Sequence, residues 1–210
     1  MMTVLSGGGL YAITSGSSTH LLTDVAQALA GGARVLQYRD KSEDTTRRLA
    51  EAQALLQLCR AQQVPLIIND DIALAAAIGA DGVHLGERDA PVAMARAMLG
   101  PQAIIGVSCY NAFERAQQLA ASGADYLAFG AFFPSPTKPH APRAAPELLR
   151  RAATLGLPTV AIGGITPDNG GLLVEAGANY LAVITGVFGA DDVTLAASRF
   201  AALYSSAPQE

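Results

Sequence analysis

Eight short runs rich in β-branched and aliphatic residues, each followed by a segment whose apolar residues return every three or four positions, constrain this chain more than any other feature. The runs are 10–14, 35–40, 66–70, 82–86, 104–109, 126–133, 159–164 and 180–187, and the clearest helical patterns are 21–30, 45–63, 112–122, 146–155 and 193–204. Strict alternation of this kind calls for a parallel sheet, since parallel neighbours need a crossover. Eight units with no change of composition predict an α/β fold with one closed (β/α)8 TIM barrel over 10–204, flanked by short tails at 1–9 and 205–210. An internal repeat supports the count. Gly-Ala introduces the even strands at Gly32-Ala33, Gly79-Ala80, Gly123-Ala124 and Gly177-Ala178, and Pro65, Pro101 and Pro158 introduce three of the odd ones. Both are helix-stop signals, so they mark the αβ loops, and function is expected at the opposite rim, where the strands end. An open doubly wound sheet is the alternative, but no Gly-x-Gly-x-x-Gly follows the first strand.

The polar residues gather at that rim. The second strand closes on Gln37-Tyr38-Arg39-Asp40-Lys41, where alternation would put Gln37, Arg39 and Lys41 on one face and Tyr38 on the other. Asp40, between two cations, either orients them or caps the turn. The third strand ends in Asn69-Asp70-Asp71 and the fourth in Gly86-Glu87-Arg88-Asp89. Carboxylates on adjacent strand ends suit Mg²⁺, which favours oxygen ligands and takes others from phosphate and water. Asp70 and Asp89 are the candidates, while Asp71 is the better cap for the helix that follows. The fifth strand ends at Ser108. The sixth leads into Pro134-Ser135-Pro136-Thr137-Lys138-Pro139, either a stiff surface turn or a source of hydroxyls and a cation. Gly163-Gly164 and Ile184-Thr185-Gly186 close the last two strands, where glycines serve chain reversal or bring backbone N–H groups close to a phosphate. Two anion sites follow: one with Arg39, Lys41, Lys138 and Mg²⁺, fit for a diphosphate, and one of backbone donors, fit for a monophosphate. Two phosphorylated substrates point to group transfer. His84 lies within a strand and reads as a hydrogen-bonded wall residue, and no proton-shuttling pair or nucleophile elbow is visible.

Composition argues against nucleic acid and acidic membrane as partners. The 210 residues are 50% hydrophobic and 15% charged, with a net charge of −4, so neither disorder nor long-range attraction to nucleic acid or acidic membrane is expected. No run of apolar residues is long enough to span a membrane, and the first ten residues lack a secretory pattern. Cys59 and Cys109 have no metal-ligand spacing and read as reduced, buried residues of a cytoplasmic protein. The sequence assigns no oligomeric state.

These motifs, in order on successive strands, resemble the thiamine-phosphate synthase family: Gln37–Lys41, Ile68–Asp71, Asp81–Gly86 with Asp89, Gly106–Ser108, Ser135–Lys138, Ile162–Ile165 and Val183–Thr185. The resemblance implies joining of a hydroxymethylpyrimidine diphosphate to a thiazole phosphate with release of pyrophosphate, and of CO₂ where the thiazole carries a carboxylate. It places Gln37, Arg39, Lys41, Asn69, Ser108 and Lys138 on the pyrimidine diphosphate, with Arg39, Lys41, Ser108 and Lys138 catalytic. Asp70 and Asp89 would hold Mg²⁺, and Ser135, Thr137, Gly164, Ile184 and Thr185 would line the thiazole phosphate site. Glu87 stands where the family often has Gln, which adds a carboxylate either near the metal or to solvent. Two rivals share the barrel. A thiazole tautomerase would lack the diphosphate and metal residues, which are present here, and a silent phosphometabolite-binding barrel would not retain a complete leaving-group set.

Overall fold

The structure, a computed structural model, describes residues 5, 7–16, 18–134 and 143–205. Eight parallel strands close on themselves in chain order, β1 pairing β8 as well as β2. They are β1 (Gly9–Ile13), β2 (Ala33–Tyr38), β3 (Leu66–Asn69), β4 (Gly82–Leu85), β5 (Ile104–Tyr110), β6 (Tyr126–Gly130), β7 (Thr159–Ile162) and β8 (Tyr180–Val183). The helices between and after them are α1 (Leu21–Ala30), α2 (Thr45–Ala61), α3 (Ile72–Ile78), α4 (Val92–Leu99), α5 (Phe113–Ala121), α6 (Glu147–Ala152), α7 (Pro167–Glu175), α8 (Thr185–Phe188) and α9 (Val193–Ser205). The expected (β/α)8 barrel is therefore present. It begins at Gly9 and ends at Ser205, one residue outside the expected bounds at each end.

Alternation along each strand splits the core in two. Leu36, Tyr38, Ile68, Val83, Ile105, Val107, Leu127, Phe129 and Leu181 face outward and pack beneath the helices. Tyr11, Ile13, Val35, Ile67, Ile104, Tyr126, Val160 and Tyr180 fill the interior, with Leu5 packed among them. Cys59 lies in the outer layer with Cys109, both buried and free, and burial pushes each thiol up to about 12. Among the described residues, no helix is long and apolar enough to cross a membrane.

Four strands stop two or more residues short of the sequence reading, β7 among them at Ile162 rather than Gly164. The sixth strand stops at Gly130 rather than Phe133, because Phe132 and Phe133 turn to hydrogen-bond the carbonyls of Ile162 and Gly163. The eighth stops at Val183, and 185–188 coils into α8 instead of extending to Val187. The second stops at Tyr38, so Arg39 and Lys41 leave the sheet instead of sharing a strand face with Gln37.

Candidate active site

Polar side chains enter the barrel interior just below its carboxyl-end rim. Gln37 is 3% exposed and donates from Nε2 to the Tyr11 hydroxyl at 2.9 Å. Tyr11 Oη lies 2.7 Å from Tyr126 Oη, which lies 2.9 Å from His84 Nδ1, and His84 Nε2 is 2.9 Å from Ser108 Oγ. The His84 ring stacks on Tyr126 with centroids 5.6 Å apart. Burial raises both phenols above their ordinary value, so they stay protonated, and it pulls the His84 imidazole down to about 4, against a smaller upward pull from Asp89. Neutral, and bonded at both ring nitrogens, His84 is the wall residue its position in the strand implied. Sequence reasoning missed Tyr11 and Tyr126. Their signal was the residue opposite: an added Cβ at Gly106 would lie 1.8 Å from Tyr126 Cζ, so glycine leaves the space the phenol occupies.

On the rim, β3 and β4 deliver the carboxylates. Asp70 takes a left-handed backbone (φ 63°) and donates its N–H to the His84 carbonyl at 2.8 Å. This turns its side chain toward Asp89, while Asp71 caps α3 through the Leu74 N–H at 2.9 Å and pairs with Arg48 at 2.7 Å. The division of labour expected of the two aspartates holds for the cap. Asp89 Oδ2 accepts the Gly86 N–H at 2.6 Å, a bond that folds the β4 loop back over its strand. Burial and contact with Asp89 push the Asp70 carboxyl up to about 6, with Lys41, 3.9 Å away, pulling it back. Lys41, Asn69 and Asp70 line an open cleft of about 300 Å³ with Asp40, Ser42, Arg48 and Asp71. Among the described residues no cluster of three or more His, Cys, Asp or Glu could hold a metal; the two carboxylates stand as a pair. Glu87 is exposed.

The Gln37–Lys41 quintet divides differently from its reading in the sequence. Tyr38 packs outward as expected, its hydroxyl donating to Glu51 Oε2 at 2.6 Å. Of the two roles open to Asp40 it takes the turn cap, accepting the Ser42 N–H at 2.8 Å, and it also meets Arg47 of α2 at 2.6 Å. Burial alone would raise this carboxyl, but Ser42 and Arg47 hold it below the usual range. The Arg39 backbone is clamped by the loop after β1, its N–H donating to Thr14 Oγ1 at 2.8 Å and its carbonyl accepting from the Gly16 N–H at 3.1 Å.

Across the rim, Gly163 (φ 107°) and Gly164 (φ 63°) run against the β6 loop, where a Cβ on Gly164 would fall 2.3 Å from the Pro134 carbonyl oxygen. Ile184 and Thr185 sit where β8 gives way to α8, with Thr185 exposed. Ser135, Thr137 and Lys138 lie outside the described residues.

Comparison with known proteins places this geometry. A family profile described as thiamine monophosphate synthase matches residues 10–187. The chain belongs to the thiamine monophosphate synthase family. It is 50% identical over 206 residues to the thiamine-phosphate synthase of Thiobacillus denitrificans, covering 97% of this chain and 98% of that protein. To that of Chromobacterium violaceum it is 53% identical over 200 residues, covering 94% and 97%. Among solved structures, thiamine phosphate pyrophosphorylase from Pyrococcus furiosus superposes with a TM-score of 0.85 at 34% identity, covering 94% of this chain and 95% of that one. Membership extends over β1 to α8, which carry all of the family motifs read from the sequence.

Proposed function

We propose that the chain is a thiamine-phosphate synthase, a transferase that joins 4-amino-2-methyl-5-hydroxymethylpyrimidine diphosphate to a thiazole phosphate in the cytoplasm, releasing pyrophosphate. The observation that carries this reading is the carboxylate pair Asp70–Asp89 with Lys41 at its side, standing on the rim directly above the Gln37-to-Ser108 polar floor. A half-buried Asp70 carboxyl whose proton affinity is raised by burial and by Asp89 in contact marks a site short of positive charge, and this fits a divalent cation. Asp70 and Asp89 would hold Mg²⁺, with remaining ligands from diphosphate and water. When bound, the ion supplies charge neutralisation for the leaving pyrophosphate.

The chain's own residues do the rest. Gln37, Asn69 and Ser108 orient the pyrimidine diphosphate, and Arg39, Lys41 and Lys138 oppose the charge that grows on the pyrophosphate as its C–O bond breaks. The electron pair leaves with the pyrophosphate, and the pyrimidine methylene cation is stabilised by the ring's amino group. Ser135, Thr137, Gly164, Ile184 and Thr185 hold the thiazole phosphate so that the thiazole nitrogen forms the new C–N bond before water can. A carboxylated thiazole then loses CO₂. No protein nucleophile is required.

The deciding experiment is a coupled assay on purified protein. Pyrophosphate release is expected only when both substrates and Mg²⁺ are present; tautomerisation of the thiazole without coupling would overturn the reading. Lys138→Ala is expected to lower kcat far more than it raises the KM for the thiazole phosphate.

A further inference from the structure

The five-membered polar chain below the rim has a direction, and that direction is fixed by which atoms can donate. An amide NH₂ only donates, so the Tyr11 oxygen accepts from Gln37 Nε2 and its single proton must go to Tyr126 Oη. The single proton of Tyr126 must then go to His84 Nδ1, which is therefore bare. A neutral imidazole with a bare Nδ1 carries its proton on Nε2 and donates it to Ser108 Oγ. With Oγ already accepting, the hydrogen of the Ser108 hydroxyl is the one left to aim into the site.

We propose that Tyr11, Tyr126 and His84 are positioning residues that set Ser108 as a fixed hydrogen-bond donor toward the anionic diphosphate substrate. The inference rests on the synthase reading for the identity of the anion. A lone serine hydroxyl rotates and can present lone pairs as readily as its proton, and lone pairs facing a diphosphate oxygen repel it. A chain anchored at one end on a group that can only donate removes that freedom before substrate arrives, so no reorganisation is needed as charge develops. The chain crosses from β2 through β1, β6 and β4 to β5 and so joins two substrate-facing side chains, Gln37 and Ser108, from different sides of the barrel. Packing holds it in place: Tyr126 makes an edge contact with Tyr11 at 6.0 Å, stacks on His84, and fills the space over Gly106.

The His84 tautomer reads the direction without substrate. In ¹⁵N-histidine-labelled wild-type protein, long-range ¹H–¹⁵N correlation is expected to show the proton on Nε2 and a bare Nδ1; the opposite tautomer would mean that the chain runs from Ser108 toward Gln37 and overturns the proposal. Tyr126→Phe, which keeps the ring, is expected to give a mixture of tautomers and to lower kcat about 10- to 100-fold with the KM for the thiazole phosphate nearly unchanged. A variant that melts earlier but keeps wild-type kcat and tautomer would reduce the chain to a structural role and sink the idea. Tyr11→Phe, one link further away, is expected to show the same tautomer mixing with a smaller loss of kcat, and it decides the matter if Tyr126→Phe does not fold. Absence of any synthase turnover in the wild type would refute the functional reading but leave the tautomer result standing on its own.

Discussion

Asp70 combines a left-handed backbone, a partly buried carboxyl and a second carboxylate in contact, and the consequence is a proton affinity shifted up to about 6. Its value in the unfolded chain is that of an ordinary aspartate, so without metal the folded state holds this proton more tightly than the unfolded one. The stabilising contribution is in place at low pH and is lost as pH rises through about 6. Mg²⁺ needs both carboxylates ionised, so its affinity is expected to fall about tenfold per pH unit below that value. Thermal melts at pH 5 and pH 8 check this: added MgCl₂ should raise Tm more at pH 8, and an equal shift at both would rule out Asp70 as ligand. Asp89→Asn should abolish the Mg²⁺ effect and bring the Asp70 titration down, since its largest charged neighbour is gone. Gly106 offers a second test at this scale. Gly106→Ala puts a methyl into the Tyr126 ring, and destabilisation of about 1–3 kcal/mol or more is expected in a denaturant titration. These residues also show what a sequence can reveal. The meeting of Asp70 and Asp89 at the strand ends and the capping role of Asp71 were readable from position in the barrel, whereas the Asp40–Arg47 pair was not, since Arg47 comes from the next helix and nothing in the local pattern points to it.

At the scale of elements, the Gly-Ala repeat proves to be a repeat of three. Asp81, Asp125 and Asn179, each the next residue, reach back to the preceding strand. Asp81 Oδ2 accepts from the Leu66 N–H at 2.8 Å, Asp125 Oδ2 from Ile105 at 2.7 Å and Asn179 Oδ1 from Thr159 at 2.8 Å. The turn glycine stops the helix and the polar side chain closes the ladder at the bottom of the barrel, so one short motif ends one element and registers the next. At β2 the third residue is Arg34, whose stem lies against Gly9 instead. Asp125 also pairs with Arg96 at 2.6 Å. Asp125→Ala would strand the Ile105 N–H and leave Arg96 with backbone carbonyls but no carboxylate, and a loss of about 2 kcal/mol, or roughly 4–8 °C in Tm, is expected by calorimetry. Because the clip sits at the end of the barrel away from the rim, kcat measured well below Tm should not change; a fall in kcat would mean that the two ends are coupled. The carboxyl ends of strands were the poorly legible part. Strand runs were read two or more residues too far at β2, β6, β7 and β8; at β6 and β8 apolar residues continue past the last ladder bond, and apolar character alone does not distinguish a strand from the turn or short helix that follows.

For the molecule as a whole, closure is what makes the site. Gln37, His84 and Ser108 come from β2, β4 and β5, but the hydrogen bonds that set them run through Tyr11 on β1 and Tyr126 on β6, and β1 is held on its other side by β8. No open half of the barrel contains the full chain of contacts, so the site cannot outlast the fold. Alternation in the sequence was enough to show eight units and a closed barrel, since closure is the arrangement that leaves no sheet edge; it could not show that the interior carries a continuous polar path, because the path is defined by partners more than a hundred residues apart. The expected behaviour is a single cooperative transition. In guanidinium, the loss of pyrophosphate release and the loss of helical circular dichroism should share one midpoint within error, as two-state unfolding requires. An activity midpoint well below the spectroscopic one would show that the rim melts as a separate unit, and the cross-barrel hydrogen bonds would then be too weak to tie the chemistry to the fold.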